Sequence, residues 1–334
     1  MSRYADVGVD VTASDEFTVS IADRVRATWR NSVVGSFGSF AAGVTIPSGY
    51  REPVIMMTTD GVGTKTELAV ALGTYDGIGR DLVAMCIDDL AALGAMPIGF
   101  TDYLAVGALD AARDHSIVSS VAAACEEAGC PLLGGETALH PGVLGVSQFD
   151  VAGAAIGVVE RSRIPDLGRV VAGDVVVGID SPNVRSNGFS LVRSIFDPGT
   201  LGEPFEGRTI GDALLEPSVL YAPTVLAAMQ ALDVHGLVHV TGGGLPGNVP
   251  RVLADGLGAR IDPTAWPVPE VFRLIAKRGV VDLSDMFGTF NMGIGFVLIV
   301  EPALVGEVIE VIEENGRSAW PIGQIVEGEG VTFR

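Results

Sequence analysis

A short apolar run, Pro53-Val54-Ile55-Met56-Met57, leads into Thr58-Thr59-Asp60-Gly61-Val62-Gly63-Thr64-Lys65-Thr66-Glu67 and then Leu68-Ala69-Val70-Ala71-Leu72. The first block has the length of a strand and the last starts a packed helix. An acid, two glycines, a hydroxyl and a lysine therefore crowd into one strand-to-helix turn. Backbone N–H groups in such a turn can cradle phosphate, and glycine lets the ligand approach closely. Asp60 could hold a metal and Lys65 could meet phosphate charge; the plain alternative is a glycine turn with a solvated lysine. The stretch is not a Walker A loop, because Thr64 separates Gly63 from Lys65. Nor is it a dinucleotide fingerprint, because Thr66 stands where a third glycine is required.

Charge sharpens this reading. The net charge is −20, and Lys65 and Lys277 are the only lysines among 334 residues. An acidic chain of this kind is expected to bind no nucleic acid. A phosphorylated ligand would have to be met by metal ions, arginines and backbone N–H groups. No apolar run reaches membrane-spanning length, and Met1–Asp6 lacks a signal pattern, so no membrane association is expected. Cys86, Cys125 and Cys130 are sparse and unpaired in spacing, which fits reduced buried thiols and a cytoplasmic location.

The length suggests two domains, 1–165 and 166–334, with Arg163–Gly173 as the linker. In the first, Val34-Gly35-Ser36-Phe37-Gly38-Ser39-Phe40 reads as a loop, either a linker or a flap anchored by Phe37 and Phe40. Ile78–Leu93 reads as a helix with Asp81 and Asp88 on its polar side and Asp89 in the middle of its apolar face. A carboxylate so placed needs an arginine, a helix N-terminus or a metal. His115–Ala128 reads as a second amphipathic helix. Cys130–Thr137 reads as a strand entering a Gly134-Gly135-Glu136 turn. Asp60, Asp89 and Glu136 are then three hard oxygen donors aimed at one place, a set suited to Mg²⁺ bridging phosphates. The second half begins with the strand Asp174–Ile179. Ser186-Asn187-Gly188 precedes a helix over Phe189–Phe196, which Ser or Asn can cap. The strand Leu237–Thr241 enters Gly242-Gly243-Gly244, and His239 alternates there with apolar neighbours, as a core histidine does. Ser218–Leu232, Pro269–Lys277 and Pro302–Asn315 read as helices. Gly258–Ile261, Met292–Val300, Ala319–Val326 and Val331–Arg334 read as strands.

Together these motifs resemble one family, the phosphoribosylformylglycinamidine cyclo-ligases, the aminoimidazole ribonucleotide synthetases of purine biosynthesis. The resemblance is nearly end to end. It runs from Tyr4–Asp10 through the Gly/Phe loop, Thr59–Lys65, Asp81–Cys86 and Gly134–Thr137 to Ser186–Gly188, Thr241–Gly244, Asn248–Arg251 and Thr289–Gly293. It implies a two-domain α/β (α+β) subunit with mixed sheets flanked by helices, and a homodimer in which the N-terminal sheets pair. It implies ATP-dependent ring closure of formylglycinamidine ribonucleotide to aminoimidazole ribonucleotide, with release of ADP and phosphate. The cofactors implied are ATP and Mg²⁺, with K⁺ a further candidate.

Carried over by residue, Asp60, Asp89 and Glu136 resemble the family's Mg²⁺–phosphate residues, and Gly61, Gly63, Thr64 and Lys65 its phosphate loop. Arg185, Ser186, Asn187, Thr241, Gly242 and Gly243 fall on its substrate side. Lys65, Asp60 and His239 are the catalytic candidates. Four places depart from the family pattern. Asp88-Asp89 replaces Asn-Asp, Leu139-His140 replaces Glu-Met before Pro-Gly, Arg185 replaces His, and Val219 replaces a basic residue. The ATP half is retained and the substrate half altered. This leaves open another phosphoryl-transfer enzyme of the same superfamily, or a nucleotide-binding paralogue.

Overall fold

The computed structural model describes residues 11–334, so the Tyr4–Asp10 motif lies outside the described residues. The chain divides into two compact units. One takes the chain up to Leu90 and again Met96–Arg161; the other takes Ala91–Ala95 and Ser162–Arg334. The sequence reading places a single crossing at 165/166. The chain also passes briefly into the second unit at the end of a helix, which no composition shift marks.

In the first unit, α1 (Val11–Ala27) is followed by two short strands, β1 (Val33–Val34) and β2 (Gly43–Val44), which flank the Gly/Phe loop. Then come β3 (Pro53–Gly61), α2 (Lys65–Leu72), α3 (Ile78–Ala92), β4 (Met96–Val106), α4 (Ala111–Glu127), β5 (Leu132–Leu139) and β6 (Phe149–Glu160). The long strands form a four-stranded sheet in the order β3-β6-β4-β5. Strand β4 runs parallel to β5 and antiparallel to β6, and β6 runs antiparallel to β3. In β4, Phe100, Asp102, Leu104 and Val106 are buried while Thr101 and Tyr103 are exposed, the alternation of a sheet covered on one face. Helix α4 starts earlier than its hydrophobic pattern indicates, because Asp110 caps it by accepting from the N–H groups of Ala112 and Arg113.

Helix α3 departs from expectation in a way that matters for the site. It is buried on most sides: Asp81 and Asp88 are 0% exposed, and Arg80, Asp89 and Ala92 are its partly exposed residues. The amphipathic assignment of Asp89 to the apolar face and Asp81 and Asp88 to the polar face is thus reversed. The cause is packing on several sides. A Cβ on Gly79 would stand 2.3 Å from the Val121 nitrogen, so α4 lies directly against the helix. On another side, the Cys86 thiol reaches the Gly153 carbonyl of β6 at 3.6 Å.

The second unit is built on β7 (Val175–Asp180), β8 (Pro204–Phe205), β9 (Arg208–Thr209), β10 (Gly236–His239), β11 (Leu257–Ile261), β12 (Ile294–Val300), β13 (Ala319–Glu327) and β14 (Gly330–Phe333). Six of these make a mixed sheet in the order β10-β12-β7-β13-β11-β14, antiparallel except between β11 and β14. All seven residues of β12 are buried, as expected of an interior strand covered on both faces. The helices are α5 (Phe189–Ile195), α6 (Ile210–Leu215), α7 (Ala222–Ala231), α8 (Gly244–Asn248), α9 (Glu270–Gly279), α10 (Leu283–Thr289) and α11 (Val305–Glu314). The mixed-sheet α/β architecture anticipated from the sequence is therefore present. Strand β4, helices α1, α6 and α10 and the two-residue strands β1, β2, β8 and β9 are additions to the sequence reading.

Candidate functional site

The Asp60–Lys65 turn forms as its residue types suggest, but its lysine does not face solvent. Asp60 ends β3 exposed, and its Oδ1 accepts the Gly61 N–H at 2.7 Å. Gly63 has φ 66°, a left-handed conformation, and nothing lies within 4 Å of where its Cβ would be. The backbone is open to a ligand at that point. Gly63 and Thr64 are exposed. Lys65 is the first residue of α2 and is 0% exposed, with Nζ 2.6 Å from Oδ2 of the equally buried Asp81. The alternative of a solvated lysine is excluded, because the helix begins at Lys65 itself and turns the side chain inward toward α3.

Asp89 receives the Thr58 hydroxyl of β3 at 3.4 Å, which ties α3 to the strand carrying Asp60. Cys86 lies one helical turn before Asp89. Burial first, and then the charge of Asp60, with Asp89 adding less, pushes its thiol up to about 12. Asp60 and Asp89 therefore share one neighbourhood. Glu136 does not join them. The expected Gly-Gly-Glu turn is instead the middle of β5. One row across the sheet reads Asp60, Gly153, Asp102, Gly135, and the next reads Gly61, Ala152, Tyr103, Glu136. Asp60 and Glu136 sit on opposite edge strands, three strand spacings or about 14 Å apart, in rows that face opposite ways. Among the described residues, no group of three or more His, Cys, Asp or Glu side chains could hold a metal ion. The three-carboxylate cage expected from sequence is thus reduced to a pair, Asp60 and Asp89.

Next to β5 lies a cavity of about 630 Å³, bounded by α1, the 36–42 loop, β4 and β5. Phe37 and Phe40 of the Gly/Phe loop line it, as do Gly134, Gly135 and Glu136. So does Asp102, a residue the sequence reading passed over. Its signal was available: it occupies a buried position in the Phe100-Asp102-Leu104-Val106 alternation, where a carboxylate is unexpected. Asp102 is 8% exposed, and burial pushes its carboxyl up to about 7, against the pull of its own backbone N–H.

In the second unit, the Ser186–Gly188 and Thr241–Gly244 turns adjoin: a Cβ on Gly242 would stand 3.4 Å from Asn187 Oδ1. Gly243 and Gly244 have φ of 92° and 56°, and a Cβ on Gly244 would collide with the Phe287 carbonyl at 2.0 Å. Thr241 Oγ1 lies 3.3 Å from Asn248 Oδ1. Helix α5 is capped by Gly188 in a left-handed conformation, with no side-chain cap from Ser186 or Asn187. Arg185 is not at the helix N-terminus and does not face solvent. It is 1% exposed, with its guanidinium 4.8 Å from the Tyr221 ring centroid, and it donates to the carbonyls of Gly295 (3.3 Å) and Val219 (3.4 Å). Arg185, which the resemblance placed on the substrate side, is thus a buried, stacked arginine. His239 is 5% exposed and its ring stacks on Phe296, the situation of a core histidine.

Comparison with known proteins gives this geometry a family. Residues 41–159 match the model of the AIR synthase related protein N-terminal domain, and residues 171–334 that of the C-terminal domain. A phosphoribosylformylglycinamidine cyclo-ligase of Synechococcus elongatus is 44% identical over 334 residues, covering 98% of both chains. One from Paraburkholderia phymatum is 44% identical, covering 98% of this chain and 94% of that one. The chain belongs to the phosphoribosylformylglycinamidine cyclo-ligase family.

Solved structures agree on the fold. A thiamine-monophosphate kinase from Stenotrophomonas maltophilia superposes with a TM-score of 0.73 at 19% identity, covering 94% of this chain and 95% of that one. The hydrogenase maturation protein HypE in complex with ATP gives 0.71 at 20% identity, covering 96% and 89%. Two of the positions read from the sequence as departures are neighbours in space: Arg185 donates to the backbone carbonyl of Val219.

Proposed function

We propose that this chain closes the imidazole ring of formylglycinamidine ribonucleotide in an ATP-dependent reaction, releasing aminoimidazole ribonucleotide, ADP and phosphate. The observation that carries this is the end-to-end similarity to cyclo-ligases at 44% identity. The chemistry is leaving-group activation: an amide oxygen departs poorly, and its phosphate ester departs well.

The phosphate loop is the turn of Gly61, Gly63 and Thr64, whose left-handed Gly63 leaves the backbone unobstructed for a close-lying phosphate. Asp60 and Asp89 would hold Mg²⁺, which usually takes one or two carboxylates together with substrate phosphates. The shared influence of the two on Cys86 supports that pairing. Bound with ATP, the ion would neutralise charge on the transferring phosphoryl group. Lys65 is a positioning residue in this scheme: through Asp81 it anchors the start of α2 against α3 and so fixes the loop before it. Ser186, Asn187, Thr241, Gly242 and Gly243 remain the substrate-side contacts.

A homodimer formed through the four-stranded sheet, and a cytoplasmic location, complete the reading. Ile55, Met57 and Tyr103, which alternate with the helix-covered positions of their strands, are 43%, 74% and 42% exposed, an apolar face suited to a second copy. Among the described residues, no helix is long and apolar enough to cross a membrane. The deciding experiment measures ADP and phosphate release with and without formylglycinamidine ribonucleotide, and again with Mg²⁺ chelated. Release that requires both ribonucleotide and Mg²⁺ is expected; release indifferent to the ribonucleotide refutes the assignment.

A further inference from the structure

The cavity beside β5 is chemically one-sided. Three acids are among its lining residues, Asp15 of α1, Asp102 of β4 and Glu136 of β5, the last in a row that faces away from Asp102, and no lysine, arginine or histidine lines it among the described residues. A triphosphate or a ribose phosphate is the wrong occupant for such a wall. A group rich in N–H donors is the right one.

Asp102 is the best-formed of the three acids. It is more than nine-tenths buried, and its carboxylate lies directly over the backbone of Gly135: a Cβ there would stand 2.3 Å from Oδ1. Glycine at 135 is what leaves that carboxylate room. The empty Cβ position of Gly134 lies on the other face of β5, so on the Asp102 side it is Gly135 alone that keeps the strand free of a side chain. The volume, about 630 Å³, suits a ligand of nucleoside size. One buried acid beside a glycine, in a cavity lined by no cation among the described residues, describes a site for a group that presents N–H donors.

We infer that Asp102 recognises an amidine edge, the planar N–C–N unit that presents paired nitrogens to one carboxyl group. This rests on the proposed reaction, whose two reactants both carry such an edge: the 6-amino-N1 edge of adenine and the amidine of formylglycinamidine ribonucleotide. A neutral carboxylic acid pairs with the first, its O–H donating to N1 and its carbonyl oxygen accepting from the amino group. A carboxylate pairs with the second, accepting two N–H bonds from an amidinium. The raised carboxyl, near 7, makes both forms available at neutral pH. Asp15 of α1 lines the same cavity, Glu136 stands in a row that faces away from Asp102, and the Cys125 thiol, kept neutral by burial, adds no charge.

The test is calorimetric binding of ATP and, separately, of formylglycinamidine ribonucleotide to the full chain, to Asp102→Asn and to Asp102→Leu. Thermal unfolding serves as the check that each variant is folded. Asparagine preserves the donor–acceptor edge that adenine needs but not the charge that an amidinium needs. If adenine is the occupant, Asp102→Leu weakens ATP about 10- to 100-fold, Asp102→Asn holds it near wild type, and ribonucleotide binding stays constant. If the amidine is the occupant, both variants weaken the ribonucleotide by a similar factor and leave ATP alone. Folded variants of an active chain that bind both ligands as the wild type does overturn the inference and spare the reaction assignment. A wild-type chain with no ribonucleotide-dependent turnover overturns both.

Discussion

Replacing Lys65 by alanine is expected to unfold the first unit more readily, beyond any effect on turnover. In the folded chain Nζ stands 2.6 Å from Asp81 Oδ2, and neither side chain has any solvent exposure. Alanine removes the ammonium and leaves Asp81 buried without that cation. Breaking a buried pair from one side costs about 3–5 kcal/mol, because the remaining charge keeps its desolvation penalty and loses its counter-ion. For a unit of this size each kcal/mol lowers the melting temperature by about 2–4 °C, so the expected drop is about 6–20 °C. Circular dichroism melting of wild type, Lys65→Ala and the double variant Lys65→Met/Asp81→Leu measures it. The double variant should recover most of the loss, since a well-packed apolar pair is a fair replacement for a buried ionic one. A Lys65→Ala melting temperature within about 2 °C of wild type, with ATP turnover abolished, would refute the structural account and return Lys65 to the phosphate.

Asp102→Asn should change how stability depends on pH. The folded carboxyl sits near 7 and the unfolded one near 3.8, so the folded chain holds this proton more tightly. The group's stabilising share is therefore full below about pH 4, declines through the window up to about pH 7 and stays lost above it. The asparagine variant lacks that decline, so its advantage over wild type should grow across the window toward an upper bound of about 4 kcal/mol. Parallel stability profiles from pH 4 to pH 8 would contradict this. Arg185→Ala should lower thermal stability by about 2–4 kcal/mol, through lost stacking on Tyr221 and two carbonyls left without their donor. Denaturant titration checks this, and an unchanged midpoint with a raised substrate KM would restore Arg185 to the substrate surface.

Much of the secondary structure and part of the site were legible in local pattern. The strand ending at Asp60, the helix beginning at Ile78 and the buried strand through Val300 all follow from periodicity and from where glycine and proline fall, signals that operate over a few residues. The open glycine turn at 61–63 follows from the same local chemistry. Strand β4 was harder to see because Pro97 and Gly99 interrupt its apolar run, and with it went Asp102. Periodicity also assumes a helix with one wet side. Helix α3 is packed on most sides, so Asp81 and Asp88 came out buried and Asp89 half-exposed. The inward turn of Lys65 depended on Asp81 standing across from it, and the stacking of Arg185 on Tyr221. Strand order, set by contacts far apart in the chain, put Asp60 and Glu136 on opposite edges of one sheet while drawing Asp102 and Gly135 together. Residue types and short-range spacing specify which elements form and what chemistry they carry. Which charges share a neighbourhood is decided by long-range pairing, because the desolvation and hydrogen-bonding terms that select those partners exist only once distant segments pack.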